Sequence, residues 1–427
     1  MRKLFAIISL SMLPFAVAAE TVTLDRCVEL ARGNYPAVRK YGLAKTSETL
    51  SLADINRGWL PRVGVYAQGT AQNAVPAFPD ALSDVLDRFG QSIEGLSRLQ
   101  WKAGIDISQT IWDGGVSRAR RKEERALAWR EQAVVDVELY HVGQRVADLY
   151  FGILLMREQI SQNALTIGLL ESNHRKLLSM AANGAATKSD ADMVEARILT
   201  LRQMQAEADG ALGNYVSLLE IYTGEKLAGC DFVRPALEIP SDMTTARPEL
   251  RMYDAILAAN DARRGSVAAA VMPRIGLFAQ GYYGYPGFDY FKSMTGRDPS
   301  LNLLAGIKVT WNIDAFYTKR NNERRISIAD ESVETERLTF LFNNRLESAA
   351  ESDRIRCLRD IIRDDARIIN IRADIRRVAE SQLANGVIDT DGLLARITEE
   401  SQARLSAAYH EIQLLQYINK LKQTLNR

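Results

Sequence analysis

The chain has 427 residues, of which 47% are hydrophobic and 25% charged, and its 54 Lys and Arg nearly balance its 53 Asp and Glu. The formal net charge of +1 gives no reason to expect a polyanionic partner, so nucleic acid is not favoured. The three cysteines and three histidines lie far apart, so a disulfide scaffold, a zinc cluster and a histidine-built metal site are all disfavoured.

The first 18 residues have the features of a secretory signal peptide. Arg2-Lys3 provides positive charge, residues 4–15 are largely apolar, and residues 16–18 form a small-residue cleavage site. The apolar run is shorter than the roughly 20 residues of a transmembrane helix, which makes a membrane anchor the less favoured alternative. Residues 1–18 are therefore predicted to be removed on export. Because no later apolar segment is long enough for a helical span, the exported chain is predicted to be soluble or a β-type membrane protein.

Five short segments of the first half recur in the same order in the second half, which indicates a duplicated unit. The recurring pairs are 36–38 and 248–250, 60–64 and 272–276, 67–69 and 279–281, 103–105 and 305–307, and 182–184 and 384–386. The offset is 212 residues for the first three pairs and 202 for the last two, so the second copy has one shorter connection. The sequence therefore predicts two repeats, residues 19–246 and residues 247–427.

Each repeat is predicted to contain a helix, two strands and two very long helices. From Leu99 to Ile111 and from Leu301 to Ile313, apolar and polar residues alternate, which predicts strands with one apolar and one polar face. Residues 62–70 and 274–285 have a weaker pattern and are predicted to be the preceding strands. A length of about ten residues suits a transmembrane β-strand, but a soluble hairpin with one buried face has the same pattern.

The long helices carry a coiled-coil pattern. Between Ser117 and Ala182, apolar residues are spaced alternately by four and three, which predicts a helix roughly 100 Å long. Asn183-Gly184 indicates its end, and Ser189 with Asp192 resembles the capping box of a returning helix.

The second repeat has the same plan, but the seam of its first long helix is more broken, with Asp365 and Arg372 among the apolar residues. Its helices are predicted over Phe316–Leu383 and Leu393–Leu425, with Asn385-Gly386 between them. Asn163 and His174 lie on the apolar seam of the first repeat and are interpreted as register or pore-side residues rather than ligands.

Four strands cannot close a transmembrane sheet alone. An open sheet edge in lipid leaves backbone groups unpaired, and single-chain barrels need at least about eight strands. If the strands span a membrane, several chains must therefore contribute them. Two copies would give a barrel filled by side chains, whereas three would give twelve strands and room for a channel.

Short motifs occur in a fixed order along the whole mature chain. They are residues 24–31 followed by Asn34-Tyr35-Pro36, then Trp59-Leu60-Pro61, residues 108–115, Tyr222-Thr223-Gly224 and Arg247-Pro248-Glu249-Leu250. This ordered set within a duplicated frame resembles the outer-membrane efflux protein family, the TolC family of Gram-negative bacteria. The second copy departs from the pattern after Asp314, where Ala315 and Phe316 replace two glycines.

The resemblance implies a mixed fold of long α-helical coiled-coil hairpins plus four transmembrane β-strands per chain. As a homotrimer these would complete a 12-stranded β-barrel in the bacterial outer membrane and an α-helical tunnel in the periplasm. The implied function is a passive exit duct of a tripartite efflux pump or a type I secretion system. The implied partners are a periplasmic adaptor (membrane fusion) protein, an inner-membrane pump and outer-membrane lipid, with no cofactor.

The hairpin tips are where the resemblance places function. The predicted adaptor contacts are Asn183, Gly184, Ala185, Asn385, Gly386 and Val387. Family members carry tunnel-facing aspartates six residues after the tip glycine, where this chain has Asp190 after the first tip and Gly392 after the second. Asp389 and Asp391 are the substitutes in the second tip, so the predicted pore gate is Asp190, Asp389 and Asp391. Threefold symmetry would turn each carboxylate into a cation-attracting ring; helix N-capping is the alternative role.

Catalysis finds little support in the sequence. It has no nucleophile elbow, phosphate-binding loop, dinucleotide fingerprint or zinc-protease motif, so no catalytic, cofactor or metal residues are predicted. The main alternative to a duct is a structural or adhesive coiled-coil protein of the envelope. Such a stalk needs neither paired alternating strands nor a duplicated order of strands and helices, so the repeat favours the duct.

Overall fold

A computed structural model describes residues 21–90 and 95–427, so the predicted signal peptide, residues 1–18, lies outside the described residues. The elements follow in order as β1 (Thr21–Val22), α1 (Leu24–Asn34), a 3-10 turn (Pro36–Val38), α2 (Arg39–Arg57), β2 (Arg62–Ala71), α3 (Asp80–Arg88), β3 (Leu99–Trp112), α4 (Val116–Ala182), α5 (Lys188–Thr223), β4 (Asp231–Phe232), α6 (Pro248–Ala270), β5 (Arg274–Tyr285), α7 (Tyr290–Thr295), β6 (Ser300–Thr310), α8 (Ala315–Ala384) and α9 (Thr390–Leu425). The predicted long helices and paired strands are thus present, with ends within three residues of the predicted ones.

One strand end differs from the prediction. Alternation predicts a strand as far as Ile313, but β6 ends at Thr310. The Trp311 indole N–H donates to the Val271 carbonyl at 3.0 Å, and the backbone N–H of Tyr317 donates to the Asp314 carbonyl at 3.0 Å. These bonds turn the chain into α8, so the last alternating residues are not paired with β5.

The chain divides into two compact units, and each draws on both predicted repeats. The helical unit consists of the described part of residues 1–39 together with residues 134–250 and 338–427. The sheet unit consists of residues 40–133 and 251–337. The repeat boundary between residues 246 and 247 stays a sequence prediction.

In the sheet unit, four strands form one antiparallel sheet in the order β2-β3-β5-β6, so β2 and β6 are its edges. The central pair joins the two predicted repeats, with Ile105 of β3 opposite Gly281 of β5. The register places Val65, Ile105 and Leu303 in one row across the sheet. This apolar face is open in the single chain, where Val65 is 81% and Leu303 76% exposed.

In the helical unit, the long helices pack around two apolar clusters. The first joins α1, α4, α5 and α9 and includes Cys27, Tyr150, Phe151 and Leu219. Gly152 favours the close approach of α4 and α5, because a Cβ there would lie 3.2 Å from the Tyr215 ring. The second cluster joins α4, α5, α8 and α9 near the hairpin tips, and its buried members are Ile167, Leu170, Leu177, Ala191, Val194, Ile198, Leu201, Ala379, Leu393 and Ile397.

The same unit contains the parallel pair of β1 and β4. The Tyr150 hydroxyl lies 2.8 Å from the Val22 carbonyl and 2.6 Å from the Val233 carbonyl, and so links α4 to this pair. Among the residues that the structure describes, no helix is both long enough and apolar enough to cross a membrane.

Candidate functional site: the hairpin tips and the amphipathic sheet

Both long hairpins turn through the same helix-ending motif. In the first, Gly184 has a φ of 74°, and the backbone N–H of Ala185 donates to the Met180 carbonyl at 2.9 Å. In the second, Gly386 has a φ of 68°, and Val387 N–H donates to the Gln382 carbonyl at 2.8 Å. Glycine is favoured because this positive φ strains other residues. The turn that the sequence predicts at each Asn-Gly pair is therefore confirmed.

The asparagines of the two tips also have equivalent contacts. Asn183 donates through its side-chain amide to the Ser179 carbonyl at 2.8 Å, and Asn385 does so to Ser381 at 2.7 Å. Each amide thereby satisfies a carbonyl in the last turn of its helix. The residues around the turns, from Asn183 to Ala185 and from Asn385 to Val387, are all exposed.

The first returning helix begins with a capping box, but two residues before the predicted one. Thr187 is the N-cap of α5: its hydroxyl accepts from the Asp190 N–H at 3.3 Å, and the Asp190 carboxylate accepts from the Thr187 N–H at 2.9 Å. The prediction that Ser189 and Asp192 form the box is wrong. The sequence fits both windows, and the short turn after Gly184 places the helix start at the first.

The second returning helix has a simpler cap. Asp389 is the N-cap of α9 and accepts from the Gly392 N–H at 2.8 Å. Asp389 therefore occupies the position of Thr187, and Gly392 that of Asp190, in the duplicated frame. Asp391 is exposed in the first turn, where a carboxylate stabilises the helix dipole.

The two tips meet at Asp190. Besides its hydrogen bonds with Thr187, the Asp190 carboxylate is stabilised by the nearby side chain of Thr390, which is 2% exposed at the start of α9. The Thr187 hydroxyl, its backbone N–H and the Thr390 side chain together lower the pKa of Asp190. The carboxylate is therefore ionised at neutral pH, and it both caps its helix and links the two hairpins.

Behind the second tip lies a buried ionic cluster that sequence reasoning missed. Glu400 is 5% exposed and accepts from the Arg376 guanidinium and, at 2.9 and 2.8 Å, from that of Arg404. Burial opposes ionisation, but hydrogen bonds from Arg376 and Arg404 hold the pKa of Glu400 below its usual value. Arg376 also donates to Glu380 at 2.7 Å. The available signal was a glutamate at an apolar position of the α9 seam.

In the sheet unit, the polar face holds a compact group of side chains on three neighbouring strands. The Gln280 amide donates to the Tyr66 hydroxyl at 3.0 Å. The Lys102 ammonium lies 5.9 Å from the Tyr66 ring centre and 5.7 Å from that of Tyr282, within the range of cation–π attraction. The sheet therefore has one largely apolar face and one polar, aromatic face.

Two of the motifs that carry the sequence resemblance contact each other. Asn34 donates through its side-chain amide to the carbonyls of Ile221 and Tyr222 at 3.3 and 3.1 Å. Gly224 ends α5 with a φ of 75°, and a Cβ there would lie 3.0 Å from the Asn34 side chain. The motif at the end of α1 thus packs on the motif at the end of α5.

A third motif forms a buried ion pair. Arg247 and Glu249 are 8% and 6% exposed, with Arg247 Nε donating to Glu249 Oε2 at 3.1 Å. The Arg247 guanidinium lies 5.1 Å from the ring centres of both Tyr140 and Phe340. The opening of the second repeat is thereby fixed against α4 and α8.

Solved structures of outer-membrane channels have the same fold as this chain. CusC, a protein that forms a transmembrane channel, matches with a TM-score of 0.69 and 15% identity over 94% of this chain and 91% of CusC. VceC from Vibrio cholerae matches with a TM-score of 0.68 and 12% identity over 94% of this chain and 95% of VceC. The MtrE channel of Neisseria gonorrhoeae matches with a TM-score of 0.65 and 15% identity over 94% of this chain and 88% of MtrE. No protein-family model and no curated protein sequence matches the chain. The TolC-like fold of long helical hairpins with an antiparallel sheet, which the resemblance implies, is confirmed.

Proposed function

We propose that the protein is an outer-membrane exit duct of a tripartite efflux pump or a type I secretion system, and not an enzyme. The observation that carries this proposal is the four-stranded sheet with one open apolar face and one polar face, in a chain whose fold is that of outer-membrane channels. The apolar face contacts lipid and the polar face lines a wet passage. An adhesive stalk, the alternative, accounts for the hairpins but not for this sheet.

The edges of the sheet support assembly as a homotrimer. β2 and β6 each pair with one strand only among the described residues, which leaves one edge of each unpaired. In lipid such edges must be paired, and joining β2 of one copy to β6 of the next closes a 12-stranded barrel from three copies.

The helical unit also presents a seam for neighbouring copies. On α8 the apolar residues Ile368, Ile371, Ile375 and Val378 are spaced three, four and three apart and are 38–56% exposed. This spacing is that of a coiled-coil seam that lacks its partner helix. In the proposed trimer, the seams of adjacent copies close the periplasmic tunnel.

The tips form the gate and the adaptor contact in this proposal. Asp190, Asp389 and Asp391 each contribute one carboxylate to a threefold ring that attracts cations. The exposed turns with Asn183, Gly184, Ala185, Asn385, Gly386 and Val387 dock the periplasmic adaptor, which connects the duct to an inner-membrane pump. Capping and gating are compatible, because hydrogen bonds to the Asp190 carboxylate favour its charged form.

Planar-bilayer recordings on the purified protein test the duct and the gate together. The wild type should conduct, favour cations and be blocked by multivalent cations. Asp190→Asn removes the charge but keeps an oxygen for the cap, whereas Asp190→Ala removes both. Both variants should lose selectivity and block equally, while only Asp190→Ala loses about 1 kcal/mol of stability.

The outcomes separate the parts of the proposal. Native mass spectrometry should give a trimer of roughly 140 kDa, three 47.6 kDa chains without signal peptides. Monomers alone in mild detergent contradict the closed barrel, and a protein that never conducts contradicts the duct. Selectivity and block unchanged in both variants remove Asp190 from the gate and leave the duct standing.

A further inference from the structure

A groove in the sheet unit has cationic side chains that the duct does not use. It lies between the start of α4 and the end of α6, has a volume of about 560 Å³, and is lined on α4 by Arg118, Arg121, Lys122 and Arg125. Their spacing of three, one and three residues places all four on one helix face. None of the lining residues is acidic.

Two of these four cations have no partner in the part of the chain that the structure describes. Lys122 pairs with Asp261 at 2.5 Å, and Arg121 donates to the Asn56 side chain at 3.0 Å. Arg118 and Arg125 are exposed, and neither takes part in an ion pair or a side-chain hydrogen bond among the described residues. Two guanidinium groups two helical turns apart are thus available to one anion.

Two of the nearby acids are already hydrogen-bonded. Asp113 accepts from the backbone N–H groups of Gly115 and Ser117 at 2.9 and 2.6 Å, which holds its charge at the start of α4. Glu123, which is not among the groove-lining residues, accepts from the Ser266 hydroxyl of α6 at 2.6 Å. The groove lining itself carries four cations and no acid, and the N-terminal end of the α4 dipole adds to this positive charge.

The wall opposite the cations is apolar. Gly265, Ala268 and Ala269 of α6 line it together with Met272, and Ala119 of α4 is 9% exposed at its base. A cationic side facing an apolar side fits an amphiphile with an anionic head. A free small anion would use the cations and leave the apolar wall in water.

The groove begins where the sheet ends. β3 ends at Trp112, β5 begins at Arg274, and Gly114 packs so closely on Met272 that a Cβ there would lie 2.7 Å from the Met272 Cβ. Trp112 is 42% exposed. Tryptophan beside Arg and Lys at the end of an apolar surface is typical of the headgroup level of a membrane.

We propose that this groove binds the phosphate headgroup of an anionic phospholipid, held by Arg118 and Arg125, with its glycerol and upper acyl carbons against Met272 and Ala268. The lipid as the source of the phosphate rests on the proposed membrane-spanning sheet. Guanidinium groups suit this role because they donate two parallel hydrogen bonds to phosphate oxygens. Each chain holds one such site.

The second repeat lacks the site. Arg320, Glu323, Arg324 and Ser327 stand at the equivalent positions of α8, so an acid and a hydroxyl replace two cations. Glu323 pairs with Lys319 at 3.8 Å, and Arg324 pairs with Glu331 at 3.8 Å. This difference provides a matched control, because Arg320 and Arg325 are exposed arginines at the start of the equivalent helix.

Native mass spectrometry of the full mature protein in neutral detergent, titrated with phosphatidylglycerol, tests the site. Arg118→Gln with Arg125→Gln should weaken binding at least about tenfold. Arg320→Gln with Arg325→Gln makes the same change in net charge and should leave binding within about twofold. Arg118→Lys with Arg125→Lys keeps the charge and should retain binding within about fivefold, which excludes misfolding as the cause.

Three results would overturn the proposal. The first is an equal loss of phosphatidylglycerol binding in the Arg118→Gln, Arg125→Gln variant and in its control, and the second is no loss of binding in either variant. The third is displacement of phosphatidylglycerol by millimolar inorganic phosphate, which would make this a free-phosphate site. Binding of zwitterionic phosphatidylcholine should be weaker than that of phosphatidylglycerol, and equal binding also contradicts the proposal. The titration needs no bilayer, so its failure is distinct from failure to conduct.

Discussion

The two long hairpins occupy equivalent places in the duplicated chain, yet they are held together by different forces. Ile198 of the first hairpin is 5% exposed in an apolar cluster, and its counterpart 202 residues later is Glu400, which is equally buried. Glu400 is tolerated because Arg376 and Arg404 compensate its charge. One helical frame thus accepts either an apolar seam or a fully compensated ionic cluster.

A second pair of equivalent positions shows what happens when compensation is missing. Asp365 is 9% exposed and lies 2.9 Å from His410 Nδ1. Its counterpart Asn163 is 4% exposed, and its side-chain amide nitrogen has no hydrogen-bond partner among the described residues. The residue equivalent to His410 is Ala208, which offers no polar atom. The buried polar residue on the seam therefore destabilises the first hairpin, whereas the one in the second hairpin is stabilised by its hydrogen bond.

The largest effect is expected from breaking the ionic cluster. Glu400→Ala leaves two arginines uncompensated in a buried site and should destabilise the helical unit by about 3–5 kcal/mol. Thermal unfolding of the detergent-solubilised protein, with hydrogen exchange of α8 and α9, measures this loss.

The neighbouring residue gives the control for this test. Glu399 pairs with Arg372 and Arg396 but is 36% exposed, so Glu399→Ala should cost no more than about 1 kcal/mol. Equal destabilisation by the two variants would show that the second hairpin does not depend on the buried cluster.

The unpaired asparagine gives an effect of opposite sign. Asn163→Leu removes a buried N–H group without a partner and should stabilise the protein by about 1–2 kcal/mol, whereas Asp365→Leu leaves His410 unpaired and should destabilise it by about 1–3 kcal/mol. The two variants, measured in the same unfolding assay, should differ in sign. A shift of the same sign in both would contradict the difference between the hairpins.

A third pair of equivalent positions sets a pH dependence. Leu149 of α4 corresponds to Glu351 of α8, whose Oε1 accepts from the Thr424 hydroxyl at 3.1 Å while Oε2 is buried without a partner. Burial raises the pKa of Glu351 to about 7, with the nearby Glu347 acting in the same direction and Thr424, Lys420 and Arg247 against it. The folded protein therefore favours the neutral acid.

The smallest expected effect follows from that shift. A raised pKa stabilises the fold below the usual value of about 4.5, and this contribution is lost as the pH rises through about 7. Glu351→Gln mimics the neutral acid, so its stability relative to wild type should grow by about 1–2 kcal/mol between pH 5 and 8, allowing for solvent screening. Glu347→Gln, at an exposed neighbour, removes only one of the smaller contributions to this shift and should show a much weaker trend in the same direction. A constant difference between wild type and Glu351→Gln across this range would contradict a raised pKa.

The sequence predicts the elements well because their faces impose regular periods. Alternation locates β3, the four-three spacing locates α4, and each Asn-Gly pair locates a turn. It does not locate the cap of α5, because Thr187 with Asp190 and Ser189 with Asp192 both fit a capping box. Nor does it reveal that Asp190 meets Thr390, since that contact depends on how the two hairpins pack.

The charged cluster and the basic groove also lie beyond sequence reasoning, for different reasons. Glu400 contacts Arg376 on another helix, and a pattern read along one helix cannot pair it. The run from Arg118 to Arg125 reads as the solvated start of a helix because glutamates are interleaved. The structure distinguishes the two sets of residues. The four cations line the groove, whereas Glu123 does not line it and accepts a hydrogen bond from Ser266.

The pairing of β3 with β5 sets the order in which the chain can fold. Ile105 lies opposite Gly281, so the central ladder of the sheet closes only after β5 has been synthesised. Until then the first repeat presents β3 with an open edge, which can pair with any other extended chain. Because β3 and β5 lie in different halves of one chain, a folding intermediate with an open β3 edge always forms. Its exposure to wrong pairing lasts until the rest of the chain has been added.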